Sequence, residues 1–520
     1  MNKHFYTLVS SILLTAAATY GQEPTPTDIM RYNQSDLNGT ARFRGMSGAF
    51  GAVGGDLSSL SINPAGGAIF NHNTAAFSLS YLDRSNKSTY YGNKEKENYN
   101  GLDLGQMGAA FVFNNYNENA TMKKFTIGLN YESTKNMRND VFFRGMSNGN
   151  SLGDYFLNMA NNAKVDHNIS NPQGIREDLN NNFNYDQGYS DAAYYGGYVG
   201  QQSFLAYQSY ILNQGQGNGS YTANYNQNSR YDQARRLSTS GFSSKFSGNF
   251  AAQLGKKFYV GANLNLHVID HTQSSMASEV IENPGSKGSI HTMNYFNEMY
   301  TYGTGFSFNI GAIGQLTESL RAGLSYQSPT WYSLKDELIQ GMSNSIVGES
   351  PVNFYPRVVN LSGSYRVKTP SHFTGSLAYV INKKGLISVD YTYKDYSNNK
   401  FKPTSDDTYY GLNEGINAMM TGTSEVRIGG EYLINQVSLR AGYRFEQSPY
   451  KDEFKMYGDL NSFSAGVGYT FGSSRLDLSY SRSHQTYKTH LVDTVGPSAY
   501  AAADIKNTNN FVSLTYNISF

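Results

Sequence analysis

The last ten residues of the chain, 511–520, alternate strictly between apolar and small polar side chains. Successive side chains of a β-strand point to opposite faces, so this segment has one apolar face and one polar face. Such a strand suits a wall between lipid and water, and about ten residues is the length that a tilted strand needs to cross a bilayer. A strand of a soluble β-sandwich can show the same pattern, so the interpretation depends on its recurrence. The apolar face carries Val512, Leu514, Tyr516, Ile518 and Phe520.

The pattern recurs in fourteen segments, which short turns and long irregular stretches separate in alternation. Short turns on one side and long loops on the other are typical of outer-membrane barrels, and an even number of strands allows closure without edges exposed to lipid. The sequence therefore predicts an all-β fold, a 14-stranded antiparallel transmembrane β-barrel, with loops at 270–299, 329–358 and 397–422. The predicted strands are 75–81, 106–113, 125–131, 246–254, 260–268, 306–312, 320–326, 373–379 after an interruption at Pro370, 387–393, 426–432, 437–445, 463–471, 476–480 and 511–520.

The start of the chain and its composition indicate export. Residues 1–21 read as a secretory signal peptide, because a basic start is followed by a short apolar run and then by small residues. The absence of cysteine excludes a lipoprotein anchor, a disulfide framework and a thiolate metal site. The 43 tyrosines and 29 phenylalanines fit the aromatic girdles of a barrel, and the net charge of +1 argues against nucleic acid as a partner.

A segment rich in glycine and alanine, residues 41–56, precedes the first predicted strand and is followed by Asn63-Pro64-Ala65. Its glycines do not follow a strand and lack the Lys-Ser/Thr pair of a nucleotide-binding loop, so this class of site is disfavoured. The absence of strand alternation predicts a compact segment that packs where only small residues fit.

These motifs resemble the FadL/TodX family of outer-membrane transporters for hydrophobic molecules. The resemblance rests on the Gly/Ala segment with Asp56, on Asn63, Pro64 and Ala65, and on two strands that precede Ser328-Pro329 and Ser448-Pro449. It implies an N-terminal hatch over 22–72 that plugs a barrel over 73–520. It also implies that extracellular loops capture a ligand, which binds in the lumen and leaves through a lateral gap into the membrane.

A long connection at about 135–238 interrupts the barrel and contains two helix-like stretches. Ser151 and Asp154 form a capping-box pattern, and apolar residues recur at helical spacing further along the chain. These side chains are too apolar to lie freely in water, so they pack together, line a pocket or contact a partner. We expect them to form the groove that first receives the ligand. The candidates are Leu152, Phe156, Met159, Phe204, Leu205, Ile211 and Leu212.

A tight turn at Asn435 fixes the register of the tenth and eleventh strands and places Arg427 opposite Arg444 on the lumenal face. Two directly opposed arginines repel each other unless carboxylates or an anion neutralise them. One interpretation is a self-neutralised charge ladder, with Glu425, Glu431 and Glu446 as the counter-charges. The alternative is that the pair binds the carboxylate of a ligand.

The sequence thus predicts a passive channel of the bacterial outer membrane for hydrophobic small molecules, with long-chain fatty acids as the preferred ligand. An aromatic hydrocarbon, haem or a bile-derived lipid is an alternative ligand; a surface adhesin and a general porin are alternative functions. The nine histidines are scattered without a metal-binding or catalytic spacing, so we expect no enzyme activity, metal site or cofactor. The expected partners are the ligand, membrane lipid and, through the last strand ending in Phe520, the barrel-assembly machinery.

Overall fold

The structure, a computed structural model, describes residues 28–520 except 35, 118, 178–181, 383, 406 and 494–499. The predicted signal peptide and the first residues of the predicted hatch lie outside the described residues. Over the described part of the chain, fourteen wall strands form one antiparallel sheet. They are β1 Thr74–Tyr90, β2 Asn93–Asn114, β3 Met122–Asn136, β4 Tyr231–Leu254, β5 Phe258–Ile281, β6 Ile290–Gln315, β7 in two parts Leu320–Gln327 and Trp331–Ile346, β8 in two parts Tyr365–Lys368 and His372–Ile381, β9 Gly385–Asp395, β10 Gly422–Ile434, β11 Val437–Glu446, β12 Leu460–Phe471, β13 Ser474–Thr489 and β14 Ala503–Ser519.

The sheet closes because β1 pairs with β14, from Thr74 opposite Ser519 to Thr89 opposite Asp504. Each of the fourteen predicted segments coincides with a wall strand, so the predicted fold class is confirmed. As predicted, apolar side chains of the strands face outward and small polar side chains face the lumen. Phe77 and Leu79 are each 42% exposed on the outer surface, whereas Ser78 and Ser80, at 0% and 1%, face a filled lumen.

The predicted loops at 270–299 and 329–358 are wrong over most of their length. β5 continues to Ile281, β6 begins at Ile290, and the second part of β7 covers Trp331–Ile346. These extensions lie beyond the belt of outward apolar side chains on the barrel. Outside that belt no lipid requires an apolar outer face, so the alternation of apolar and polar residues weakens although the backbone pairing continues. The third predicted loop, 397–422, contains the short strand Lys400–Lys402 and the helix α6, Asp407–Met419.

The described residues of 137–230, between β3 and β4, form a unit close to the predicted 135–238 insertion, which we call the cap. Its extracellular location stays a prediction. The predicted capping box is present at the start of the helix α3, Leu152–Asn162, between Ser151 and Asp154. Ile211 and Leu212 do not belong to the predicted second helix: α5, Asn182–Gln208, ends before them, and the positive φ of Tyr210 turns the chain away. The cap contains a strand Asn139–Ser147, α3 Leu152–Asn162, α4 His167–Ser170, a 3-10 turn Pro172–Glu177, α5 Asn182–Gln208 and the short strands Leu212–Gln214 and Tyr221–Ala223.

The described segment before β1 contacts lumenal side chains of the wall strands, and we call it the hatch. That it plugs the barrel stays a prediction. None of the described helices, in the hatch or elsewhere, is long and apolar enough to cross a membrane. The hatch contains α1 Ile29–Asn33, α2 Ala41–Gly45 and the 3-10 helices Ser58–Ser61 and Pro64–Ile69.

Candidate functional site

Amide side chains of the wall hold one side of the hatch. Asn249 donates to the carbonyl oxygen of Pro64 at 3.0 Å, and Asn263 donates to that of Leu60 at 2.7 Å. The two asparagines also bond each other at 2.6 Å. Carbonyl groups that would otherwise be buried without partners are thereby satisfied, so this array fixes the hatch without using charge.

The residues of the predicted hatch motif are buried and organise the hatch itself. The carboxylate of Asp56 accepts the Thr40 hydroxyl at 2.8 Å and the backbone amide of Ser58 at 2.9 Å. Burial raises the pKa of Asp56 above its ordinary value, against the opposing effects of Arg42 and the Thr40 hydroxyl. Asn63 accepts the backbone amide of Ala65 at 3.1 Å, at the start of the 3-10 helix that Pro64 opens. The motif is therefore a folding element of the hatch.

Ion pairs hold the opposite side of the hatch. Glu431 of β10 lies 2.8 Å from Arg42 of α2 and 2.6 Å from Arg440 of β11. Asp477 of β13 pairs with Arg440 at 2.8 Å and with Arg475 at 2.9 Å. The side chains of Glu431 and Asp477 are 4% and 3% exposed, so the network is shielded from solvent and binds α2 firmly to the wall.

The predicted register of β10 and β11 is confirmed, including Gly429 opposite Gly442 and Glu431 opposite Arg440. The glycine pair has a steric cause, because the hatch backbone at Met46 lies against it. A Cβ atom on Gly442 would lie 2.5 Å from the carbonyl carbon of Met46, and one on Gly429 would lie 2.5 Å from its oxygen. Only glycine leaves the hatch this much room.

Arg427 and Arg444 are opposite each other as predicted, and both are neutralised by carboxylates. Glu425 lies 2.7 Å from Arg427 and 2.6 Å from Arg444, and Glu446 lies 2.8 Å from Arg444. This is the arrangement of the charge ladder. Binding of a ligand carboxylate by the pair stays a prediction.

A cavity of about 1000 Å³ lies between the hatch and the extracellular loops. Its lower boundary includes Leu37 and Arg44 of the hatch and Lys135 of β3, and its side wall includes Arg84 and Phe511. Its upper boundary is made by α6 and by the loop between β11 and β12. The lining combines apolar side chains with basic and acidic groups.

Basic groups are concentrated at the floor of this cavity. Arg44 is fully buried, donates to Asn38 at 2.9 Å and stacks over the ring of Phe511 at 4.2 Å. Among the described residues its Nε has no hydrogen-bond partner and its side chain forms no ion pair, and burial lowers its pKa to about 10. Lys135 contacts Gln34 at 3.3 Å without a carboxylate partner in the described part of the chain. The Asp36 carboxylate borders the cavity near both cations, so the floor carries basic groups and an acidic group side by side.

The wall is discontinuous beside this floor. β2 pairs with β3 only from Gln106 to Asn114, and its outer part from Asn93 to Gly105 has no ladder to β3 within the described residues. The ladder between β1 and β2 shifts register at the same point, so that Gly105 is left without a partner. Beyond the break, the Ser88 hydroxyl donates to the carbonyl oxygen of Phe142 at 2.6 Å, which is a side-chain contact in place of a ladder. We call this break between β2 and β3 the side window.

The hatch covers the side window from inside. The backbone amide of Asp36 donates to the Thr134 carbonyl oxygen at 2.9 Å, and that of Asn136 donates to the Asp36 carboxylate at 3.3 Å. A Cβ atom on Gly105 would lie 3.6 Å from the carbonyl oxygen of Gly39. Because Asp36 also borders the cavity, a short hatch segment separates the cavity from the side window.

The apolar residues predicted to capture a ligand lie in the interior of the cap. They belong to one buried cluster, and neither they nor any other described residue of α3, α4 or α5 borders the cavity. Their contact with a ligand stays a prediction. Leu152, Phe156, Phe204, Leu205 and Leu212 are 0% exposed, Ile211 is 1% exposed, and Met159 packs against them.

Two parts of the site carry weak signals in the sequence. Arg44 is a charged residue within a segment rich in small residues, and this contrast is a weak sign that a cation lies in the lumen. At Gly105 the alternation changes phase, from Leu102 and Leu104 to Met107, as a bulge requires. Lys135 gives no such signal, because its role depends on the distant hatch. No three His, Asp or Glu side chains of the described chain are close enough together to hold a metal ion.

Comparisons with known proteins agree with this geometry. The profile of the family described as "Outer membrane protein transport protein (OMPP1/FadL/TodX)" matches residues 175–520. The crystal structure of a Pseudomonas aeruginosa FadL homologue is similar, with 14% identity and a TM-score of 0.52 over 94% of this chain and 99% of that chain. The Pseudomonas putida toluene transporter TodX is similar too, with 14% identity and a TM-score of 0.51 over 94% and 99%. At these identities the likeness concerns the fold. No curated protein matches the sequence.

Proposed function

The chain belongs to the FadL/TodX family of outer-membrane transport proteins, and from this premise we propose that it takes up long-chain fatty acids passively. In this proposal extracellular loops capture the ligand, the lumenal cavity binds it, and the side window releases it into the membrane. The chain is a multi-strand β-barrel of the outer membrane and a transport protein, not an enzyme.

The observation that carries the proposal is the position of the cavity, which extends from the extracellular loops down to the inner side of the side window. Its volume of about 1000 Å³ is at the upper end of the range of about 300–1,000 Å³ found for small-molecule sites. A ligand bound there would have apolar side chains along its length and basic groups at the floor.

The floor supports an acidic ligand. Arg44 and Lys135 form no ion pair within 4 Å among the described residues, because the nearby Asp36 carboxylate lies 3.9 Å from Arg84 and accepts the Asn136 amide. Arg427 and Arg444, in contrast, are paired with Glu425 and Glu446. A carboxylate placed at the floor would form charge-assisted hydrogen bonds in a shielded environment. An uncharged hydrocarbon would gain nothing from these groups.

The hatch supports sideways release. The amide array on β4 and β5 and the ion network on β10, β11 and β13 fix both sides of the hatch to the wall, so a route into the periplasm would break many buried contacts. The route through the side window requires only the segment around Asp36 to move. Lateral release is therefore the less costly exit in this structure.

The proposal is tested by uptake of palmitate and of its uncharged methyl ester into cells that carry the chain or lack it. Arg44→Gln and Lys135→Gln should each reduce palmitate uptake by about ten- to a hundredfold, the effect of losing roughly 1.5–3 kcal/mol from a hydrogen bond to a charged group, and should leave methyl ester uptake unchanged. Arg230→Gln, in an exposed ion pair with Glu282, is the matched control.

The same assay compares the two candidate carboxylate sites. If the double variant Arg427→Gln and Arg444→Gln loses palmitate uptake selectively while the floor variants do not, the ladder binds the carboxylate. Equal uptake of palmitate by cells with and without the chain would overturn the proposed function.

We further propose that the barrel-assembly machinery recognises β14 with its terminal Phe520. The Phe520 ring is 62% exposed on the barrel and lies 6.4 Å from that of Phe111, so it is available to a partner during assembly. Phe520→Ala should reduce the amount of assembled barrel in the membrane, and its melting behaviour once assembled should be unchanged. Normal amounts of assembled Phe520→Ala would contradict this assignment.

A further inference from the structure

The cavity reaches the outer surface between α6 and the loop of residues 447–459, which joins β11 to β12. Several residues at this end both border the cavity and are exposed, whereas the residues at its lower end are buried. We call this opening the mouth. Its exposed residues are Gly411, Ala418, Asp452, Glu453, Phe454 and Lys455.

One face of α6 forms a side of the mouth. Gly411, Gly415 and Ala418 follow each other at spacings of four and three residues, so they lie on the same helical face, and all three border the cavity. A Cβ atom on Gly411 would have no other atom within 4 Å, which shows open space in front of this face. Phe454, which is 40% exposed, borders the same space from the loop.

The other face of α6 is anchored, so the helix does not depend on a ligand for its position. Leu412 and Ile416 are 3% and 0% exposed and pack in a cluster with Ile29 and Met30 of α1. The backbone of Lys451 in the loop donates to the Met419 carbonyl oxygen at 2.9 Å. The helix and the loop are therefore held together at one end, and the mouth has a defined width.

The far end of the cavity indicates what passes through the mouth. The cavity continues to the buried Arg44, whose Nε has no hydrogen-bond partner among the described residues. A molecule that reached Arg44 from outside would bring an acidic group first and an apolar body behind it. The side chains it passes at the mouth include Phe454, Met456 and Met419, which suit an acyl chain.

We propose that the mouth is the entrance for the ligand and that the face of α6 with Gly411, Gly415 and Ala418 limits its cross-section to that of an unbranched acyl chain. This inference rests on the proposed function, and it assigns the entrance to α6 and its neighbouring loop instead of to the cap. The missing side chains at Gly411 and Gly415 are what keep the mouth wide enough.

The absence of cysteine from the natural chain allows a test after folding. Ala418→Cys is labelled on intact cells with a bulky maleimide that does not cross membranes, and palmitate uptake is measured before and after labelling. We expect labelling to reduce uptake by about tenfold or more, and palmitate to slow the labelling. Glu414→Cys, exposed on the same helix but not bordering the cavity, is the matched control and should keep its uptake when labelled.

A second pair of variants tests the size limit. Gly411→Trp should abolish uptake of a fatty acid that ends in a pyrene ring and should reduce that of palmitate less, whereas Glu414→Trp should change neither. Assembly of each variant is checked by its heat-dependent migration on gels. Equal loss of both substrates in Gly411→Trp would overturn the size limit.

The outcomes separate this inference from the proposed function. Suppose that the unmodified chain takes up palmitate. If labelling of Ala418→Cys then leaves uptake unchanged, or if the reagent does not reach the cysteine, the assignment of the entrance is overturned and the proposed function stands. If the unmodified chain gives no uptake above cells that lack it, the proposed function and the entrance both fail.

Discussion

The backbone amide of Asp36 in the hatch donates to the carbonyl oxygen of Thr134 on the open edge of β3. The carboxylate of Asp36 accepts the amide of Asn136, so one hatch residue satisfies two backbone groups that β2 leaves unpaired. Asp36→Ala should remove the second bond, at a cost of about 1–3 kcal/mol for an unsatisfied buried amide. Hydrogen–deuterium exchange of residues 133–137 should then increase.

Asp140→Ala is the matched control for this experiment, because Asp140 accepts a hydrogen bond from the exposed side chain of Ser238 instead of covering the side window. Unchanged exchange in Asp36→Ala would mean that the hatch is not held at the side window by this residue.

Filling the side window should block release without blocking binding. A Cβ atom on Gly105 would lie 3.1 Å from the Ser80 hydroxyl, and the longer side chain of Gly105→Leu would occupy the space between β2 and the hatch. We expect uptake to fall because the exit is filled, while the purified barrel, destabilised by only about 1–3 kcal/mol of overpacking, still binds palmitate. Gly248→Leu, on the outer surface where a Cβ atom would meet nothing within 4 Å, should transport normally.

Weakening the ion network should loosen the hatch. Glu431→Gln leaves the guanidinium group of Arg42 without its carboxylate and Arg440 with Asp477 alone, and breaking a buried pair in this way costs about 3–5 kcal/mol. Intact cells should then become more sensitive to small polar antibiotics. Glu282→Gln, in the exposed pair with Arg230, should have no effect. If Glu431→Gln cells keep their resistance, the network does not hold the plug in place.

The cap core should depend strongly on Phe204. This side chain is 0% exposed, so Phe204→Ala should destabilise the cap by about 3–5 kcal/mol and make it sensitive to protease on intact cells. Tyr194→Ala, in the part of α5 that precedes the kink at Gly197, should change stability by less than about 0.5 kcal/mol, because its side chain is 59% exposed. The variants Phe204→Ser and Ile211→Ser also test the predicted role of these residues in ligand capture. If that role is correct, the variants bind the ligand more weakly although their cap still resists protease.

The wall strands could be predicted because lipid imposes a rule on every strand that crosses it. The outer side chains must be apolar, and the tight turn at Asn435 then leaves one register in which Arg427 and Arg444 both face the lumen. No such rule acts beyond the apolar belt. The extensions of β5 and β6 pack against the cap or face water, so polar residues such as those of 270–281 carry no readable period.

The cavity and the side window could not be predicted for a different reason. Each depends on residues that are distant in the sequence and meet only after closure, such as Lys135 beside Gln34 and Phe511 beside Arg44. The opening at Gly105 is a property of pairing, and the polar outer part of β2, residues 93–105, does not show which neighbour it lacks. The residue pattern along one strand shows which of its faces meets lipid or the lumen, but it does not show which strand pairs with it.

The pairing of β1 with β14 also sets the order of events during biogenesis. The ladder from Thr74 to Thr89 can form only after the last strand has been made, so the cylinder remains an open sheet for almost the whole synthesis. The hatch precedes β1 in the chain, so it is already present when the sheet curls and can be enclosed as the last pairing forms. A barrel that closed without it would leave Glu431 without its partner Arg42.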